Sequence, residues 1–162
     1  MIRVRLLRPV LTLTALLGVA GFTSACDDGP SGPSNFAPYS QTDLRVGTGA
    51  DAVSGRLLTV NYTGWFYNES ATDKKGPVFD TSTGQTPFSF ILGSGGVIEG
   101  WERGTAGMRV GGLRRLVIPP SLAYGGIRNS SIPPNATLVF EIELIDVTDP
   151  ATTTTQSTVV SR

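Results

Sequence analysis

Two runs of inside–outside alternation constrain this chain more than any other feature: RLLTVNYTGWFY at 56–67 and TLVFEIELIDV at 137–147. In the first, Leu58, Val60 and Tyr62 share one side and Thr59, Asn61 and Thr63 the other. In the second, Leu138, Phe140, Ile142 and Leu144 oppose Glu141 and Glu143. Period-two alternation marks a strand buried on one face only, so something apolar must cover that face. Shorter strands are predicted at 43–46, 87–92 and 113–118, each bounded by glycine or proline. A single segment reads as a helix: VIEGWERGTAGMRVGG at 97–112, where Val97, Trp101 and Met108 recur at helical spacing. Several strands and one short helix predict an α+β domain, a mainly antiparallel sheet with the helix laid across its apolar face.

That helix carries Gly100, Gly104 and Gly107 beside Trp101, although a helical glycine costs roughly 1 kcal/mol relative to alanine. Such crowding predicts a close approach, read here as backbone against backbone where the sheet curls around the helix. Trp101 would then floor whatever cavity the curled sheet leaves open.

With 162 residues, 40% of them hydrophobic, the chain suits one domain plus appendages, since a domain core takes about 100–150 residues. The N-terminus is a basic MIRVRLLR, an uncharged VLTLTALLGVAGF and the small residues TSAC. The apolar run is too short to span a bilayer and matches the apolar region of a secretory signal, so residues 1–25 are assigned to a signal peptide. Cys26 directly follows Thr23, Ser24 and Ala25 and resembles the lipobox of bacterial lipoproteins, with Thr23 where leucine is most usual. Two readings are open there: a lipidated Cys26, or a conventional signal cut after Ala25 or nearby. The first implies an exported protein, lipid-anchored to a bacterial cell-envelope membrane, with its domain facing the periplasm or exterior. Residues 26–41, rich in Gly, Pro, Ser and Asp, read as a flexible tether. Residues 42–149 form the domain, and 150–162 a disordered tail.

Charge and residue inventory exclude whole classes of function. Thirteen basic residues balance thirteen acidic ones, but Arg3, Arg5 and Arg8 lie in the signal segment. From Cys26 onward ten basic residues face thirteen acidic ones, a net charge of about −3 that gives nucleic-acid binding no support. The chain has no histidine, which removes the commonest general base and the commonest metal ligand together. One cysteine permits neither an intrachain disulfide nor a cysteine-based zinc cluster. The acids Asp27, Asp28, Glu99, Glu102, Glu141 and Glu143 are scattered and read as solvated surface charges, so no metal site is assigned. What stands out is a supply of aromatics near turns: Tyr62, Phe79, Phe88, Phe90, Trp101, Tyr124 and Phe140. Phe90 reads as ordinary core. Asp80 follows Phe79 directly, and an acid beside a buried aromatic is costly unless it is hydrogen-bonded or serves a ligand. The hydroxyls of Tyr62 and Tyr124 need partners on the same ground.

The stretches VNYTGWFY, VFDTSTGQTPFSFILGSGGVIEGWERGTAGMRVGGLRRLVIPPSLAYG and IPPNATLVFEIELIDV closely resemble the FKBP-type peptidyl-prolyl cis-trans isomerases, the macrolide-binding immunophilins. The resemblance covers about residues 42–148. It implies an antiparallel sheet of five or six strands curled around one short helix, with a shallow apolar pocket at that helix. It also implies isomerisation of X-Pro bonds in polypeptide clients, a macrolide as a possible ligand, and no cofactor. By motif position it assigns Trp101 and Phe140 to packing on the proline ring, and Asp80 and Tyr124 to polar contacts that favour the twisted amide. Tyr62, Phe79, Phe88, Val97, Ile98 and Ile132 complete the substrate-binding wall. Three departures accompany it: the loop DTSTGQTPF is one residue shorter than expected and lacks the arginine that often accompanies the aspartate, Ser131 stands where an apolar residue is common and Arg128 near a usual aromatic or histidine place, and NESATDKKGP at 68–77 lengthens a surface loop. A rival reading keeps the same pocket as a proline-binding or chaperone module without turnover. A second rival, a purely structural envelope lipoprotein, leaves the coincidence of pocket residues unexplained.

Overall fold

The computed structural model describes residues 36–129 and 131–150. The expected signal segment, Cys26, most of the tether and the tail beyond residue 150 lie outside them. The elements are β1 (Ser40–Arg45), β2 (Leu57–Tyr67), β3 (Lys75–Thr81), β4 (Phe88–Ile91), α1 (Glu99–Thr105), β5 (Leu113–Ile118) and β6 (Leu138–Thr148), with a 3-10 turn at Pro120–Leu122. Every ladder is antiparallel, in the order β1-β5-β6-β2-β3. The second edge of β2 is shared: Leu57–Val60 pair with β4, and Thr63–Tyr67 with β3. Six antiparallel strands and one helix are the α+β architecture expected from the alternation.

The two alternating runs became the centre of the sheet. Val60 faces Leu144, Tyr62 faces Ile142 and Gly64 faces Phe140 across the β2–β6 ladder. Leu58, Val60, Leu116, Ile118, Leu138, Ile142 and Leu144 are fully buried, forming one apolar face against which α1 lies.

Four local expectations need correction. Lys75, Gly76 and Pro77, read as part of a loop, begin β3. Two register shifts interrupt its pairing with β2, so no alternation survives in KGPVFDT, and an edge position tolerates the proline's missing donor. The first strand begins at Ser40, three residues ahead of the strand expected at 43–46, and Tyr39 already packs on the core. The helix stops at Thr105: Ala106 is extended and Gly107 takes φ +70°, so Met108 reaches the core from beyond it. The glycines answer side chains, not backbone. A Cβ on Gly100 would lie 2.4 Å from Cγ2 of Ile118, and one on Gly104 2.4 Å from Cδ1 of Leu116. Both partners belong to β5, so the helix settles onto that strand.

Buried Arg114 fixes the helix end. Its Nη1 donates to the carbonyls of Gly104 (2.8 Å) and Ala106 (3.2 Å), and its Nε to Asp43 Oδ1 of β1 at 2.6 Å. The open carbonyls of the last helical turn thus gain a cationic donor, favoured there by the helix dipole. Two acids read as solvated are also structural. Glu102 accepts from the N–H groups of Gly93 (2.6 Å) and Gly95 (3.0 Å), pinning the turn between β4 and α1. Glu141, its side chain 20% exposed, pairs with Lys75 at 2.6 Å and Arg115 at 2.7 Å.

Candidate active site

At the N-terminal end of α1 the curled sheet leaves a cavity of about 650 Å³. Strands β2, β3, β4 and β6 contribute Tyr62, Phe79, Asp80, Phe88 and Phe140. Val97, Ile98 and Trp101 come from the helix and its approach, and Tyr124 and Ile132 from the loop after the 3-10 turn. All ten residues assigned by motif position therefore meet at one cavity. Phe90 does not line it and lies in the core. Gly96, Asn129 and Ser131 also line the cavity. Asn129 is the addition that sequence reasoning missed, because a polar residue in a loop carries no periodic signal. Arg128 is exposed and is not part of the wall.

The sequence builds this wall through small local choices. Gly64 sits between Asp80 of β3 and Phe140 of β6 in the ladders. A Cβ there would come within 2.7 Å of Phe79 Cζ and 2.9 Å of Phe140 Cε1. Its absence lets those two rings meet across β2, edge to face, with centroids 5.5 Å apart. Trp101, 5% exposed, is gripped in the same way by Tyr62 (5.1 Å) and Phe140 (5.3 Å), both near perpendicular. Edge-to-face contacts of this kind add about 0.5–1.5 kcal/mol each beyond area burial. They hold the indole without help from its Nε1–H, which has no hydrogen-bond partner among the described residues. Phe88, 40% exposed, stands at the rim.

Backbone bonds hold the remaining parts. Ile98 is the N-cap, its carbonyl accepting from the N–H groups of Trp101 and Glu102, while the Glu102 carboxylate braces the turn just before it. Across the mouth, Asn129 and Ile132 exchange both backbone hydrogen bonds (3.2 and 2.7 Å). That small closure sets Asn129, Ser131 and Ile132 against the cavity.

The polar groups gather around Asp80. Its Oδ2 accepts from the Tyr62 hydroxyl at 2.6 Å and its Oδ1 from the Thr81 N–H at 2.9 Å. The residue itself is exposed at the rim, not buried beside Phe79, and the phenol is the partner that the sequence required. Burial pushes the Tyr62 phenol well above its ordinary range, and the hydrogen bond to Asp80, that carboxylate's charge and Tyr124 add to the effect. Tyr124 is pushed up by burial and then by the charge of Asp80. Both phenols therefore stay protonated near neutral pH and each keeps a proton to donate, that of Tyr62 to Asp80. The site thus joins an aromatic cleft to two phenolic donors and one carboxylate. Such a set can desolvate an apolar ring and orient an amide, with no step that requires a nucleophile.

The comparisons with known proteins agree with this geometry. The family model described as FKBP-type peptidyl-prolyl cis-trans isomerase matches residues 49–145. An FK506-binding protein of Neisseria meningitidis serogroup B is 45% identical over 107 residues, covering 65% of this chain and 92% of that protein. FK506-binding protein 4 of Neurospora crassa is 41% identical over 140 residues, 78% of this chain, but this chain spans only 28% of that longer protein. Among solved structures, FkpA from Escherichia coli aligns with a TM-score of 0.58 at 40% identity, over 68% of this chain and 48% of that one. AtFKBP13 aligns with a TM-score of 0.55 at 37% identity, over 67% and 91% respectively. With the fold, the aromatic cavity and a family model that matches more than half of the chain in agreement, this chain belongs to the family of FKBP-type peptidyl-prolyl cis-trans isomerases.

Proposed function

We propose that this cavity catalyses cis-trans rotation about X-Pro bonds in extracytoplasmic polypeptides, assisting their folding. The observation that carries the reading is the convergence of Tyr62, Phe88 and Phe140 on the Trp101 floor, with the hydrogen-bonded Asp80–Tyr62 pair at the rim. Rotation must overcome amide resonance, a barrier of about 18–20 kcal/mol, and uncatalysed X-Pro exchange takes tens to hundreds of seconds. A twisted amide has less charge separation than a planar one. Withdrawing it from water therefore costs the planar form more. A thousandfold acceleration requires about 4 kcal/mol of such differential stabilisation. In this reading Trp101 and Phe140 pack on the proline ring. Asp80 and Tyr124 make the polar contacts that favour the twisted geometry, and Tyr62, Phe79, Phe88, Val97, Ile98 and Ile132 hold the flanking chain. No residue changes covalent state and no cofactor is required. Relatives carry the name FK506-binding protein, and a macrolide of that kind would occupy the same cavity in competition with peptide.

The test is exchange of a short X-Pro peptide followed by NMR or a protease-coupled assay. The wild type is expected to accelerate exchange, and folded Asp80→Ala to lose about tenfold, the scale of one hydrogen bond to a charged group. A second reading, a proline-binding module without turnover, is favoured by the polar Ser131 on the wall. Peptide binding by the wild type with no acceleration of exchange would establish it instead. Export and lipid attachment through Cys26 to a bacterial envelope membrane belong to the same proposal, supported by the basic, apolar and small-residue order of residues 1–26.

A further inference from the structure

We infer that the chain carries its own ligand for the cavity: the tandem Gly-Pro-Ser repeat at residues 29–34 folds back within the same molecule and occupies it, a weak built-in competitor that clients must displace. The inference rests on the proline-binding reading of the cavity and adds how access to it is regulated. The repeat, GPSGPS, presents two identical Gly-Pro units three residues apart, so either can enter in the same way. Residues 29–35 carry no charge and set none against Asp80, the one ionised residue of the wall. A cavity of about 650 Å³ suits a ligand of drug size, the scale of one Gly-Pro-Ser unit.

The fold brings the start of β1 close to the cavity. Ser40 lies opposite Val117 of β5, and Val117 opposite Val139 of β6. Two strand spacings, about 10 Å, therefore separate Ser40 from Val139, the chain neighbour of the cavity wall Phe140. Because β1 and β5 are antiparallel, the chain entering Ser40 comes from the side toward which the chain leaving Val117 runs. That side holds the turn at Pro120–Leu122 and, just after it, the cavity residue Tyr124. Tyr39 packs on the core and fixes this approach. From Ser40 an extended chain spans about 23–25 Å to Pro33 and about 33–36 Å to Pro30. Both lengths exceed twice the lateral separation and leave chain for a bend into the cavity mouth. The Ala37–Pro38 bond is excluded as the occupant, because it adjoins the packed Tyr39 and has no slack. A linker of this length holds its ligand at an effective concentration in the millimolar range. Glycine and serine offer the aromatic wall little beyond the proline ring, so the affinity is low, and a client with larger flanking side chains displaces the repeat.

The experiment compares the full chain with its Pro30→Ala/Pro33→Ala variant, both prolines preceding β1. One readout is steady-state exchange of an external X-Pro peptide. The other is the indole N–H resonance of Trp101, whose Nε1–H has no hydrogen-bond partner among the described residues and so reports a ligand above it. A competitor held in the same molecule predicts a KM about two- to tenfold lower in the variant at unchanged kcat. The Trp101 resonance should be displaced, and that of Trp65, which does not line the cavity, should stay in place. Both differences should persist when the protein is diluted about tenfold, since an intramolecular ligand has a fixed effective concentration. Equal KM and an unmoved Trp101 resonance in two proteins that both accelerate exchange would overturn the self-ligand and leave the isomerase reading intact. A Trp101 resonance that moves between two proteins, neither of which accelerates exchange, would overturn the isomerase reading and leave the self-ligand standing. Differences that vanish on dilution would assign the occupant to the N-terminal segment of a second copy and overturn the intramolecular proposal. A lower kcat in the variant at unchanged KM would show that the repeat supports the site instead of competing for it, and would overturn the proposal as well.

Discussion

At Gly104 an added methyl would stand 2.4 and 2.5 Å from the two Cδ atoms of Leu116, a side chain with no exposed surface in which to swing aside. Helix propensity alone argues the other way, since alanine is better than glycine by about 1 kcal/mol. The steric term should win. Gly104→Ala is expected to destabilise the domain by about 1–3 kcal/mol, the usual cost of overpacking a filled core, read as a lower urea midpoint at unchanged slope. Combining it with Leu116→Val should cost less than the two single changes added together, because the second removes atoms that the first strikes. Additive losses would show that the helix slides off β5 instead. The glycine crowding around Trp101 is legible in the sequence as a close approach. Its partners are not, because nothing in VIEGWERG indicates that Leu116 and Ile118, more than ten positions later, will lie beneath it. Asp80 divides in the same way: that it needs a partner follows from its neighbour Phe79, but that Tyr62 supplies the phenol follows only from the β2–β3 pairing.

Among the elements, legibility tracks burial. Strands β2 and β6 are each buried on one face, so their alternation is written into residues such as Leu58, Val60, Ile142 and Leu144. Strand β3 holds the sheet edge with both register shifts and a glycine-proline pair, leaves no period to read, and yet supplies Phe79 and Asp80 to the cavity. What secures this edge strand from the outer face is Glu141 of β6, which draws in Lys75 of β3 and Arg115 of β5. Burial pushes the Glu141 carboxyl up, but the hydrogen bonds and charges of Lys75 and Arg115 prevail and hold it below the usual carboxylate range. A depressed folded-state pKa contributes stability that is present above the unfolded value of about 4.3 and is lost as pH falls through the folded value. Glu141→Gln is thus expected to lower stability by about 1 kcal/mol at neutral pH. The two proteins should converge in acid, where wild-type Glu141 is itself protonated. Melting curves from pH 7 to pH 3 check this, and a constant gap down to pH 3 would mean that the glutamine loses packing and not charge.

For the whole molecule, the sequence separates a chemistry-bearing domain from an N-terminal segment of quite different composition. The cavity is complete within residues 62–140, so attachment at Cys26 would act on location alone. Cys26→Ser is expected to shift the protein from the membrane pellet to the soluble fraction with exchange activity unchanged, since acylation would supply the anchor. Sedimentation of the variant with membranes after a high-salt wash would count against lipid attachment. The β2–β6 ladder has an effect on timing as well. It joins Leu57–Phe66 to Leu138–Thr148, a long-range pairing of the kind that forms slowly, and the last pocket wall, Phe140, arrives with β6. A chain delivered N-terminus first, from a ribosome or through a translocation pore, has produced Tyr62, Asp80, Trp101 and Tyr124 well before it can close the cavity around them. The nascent protein is therefore expected to stay inert toward proline segments, its own included, until the final strand emerges and zips alongside β2.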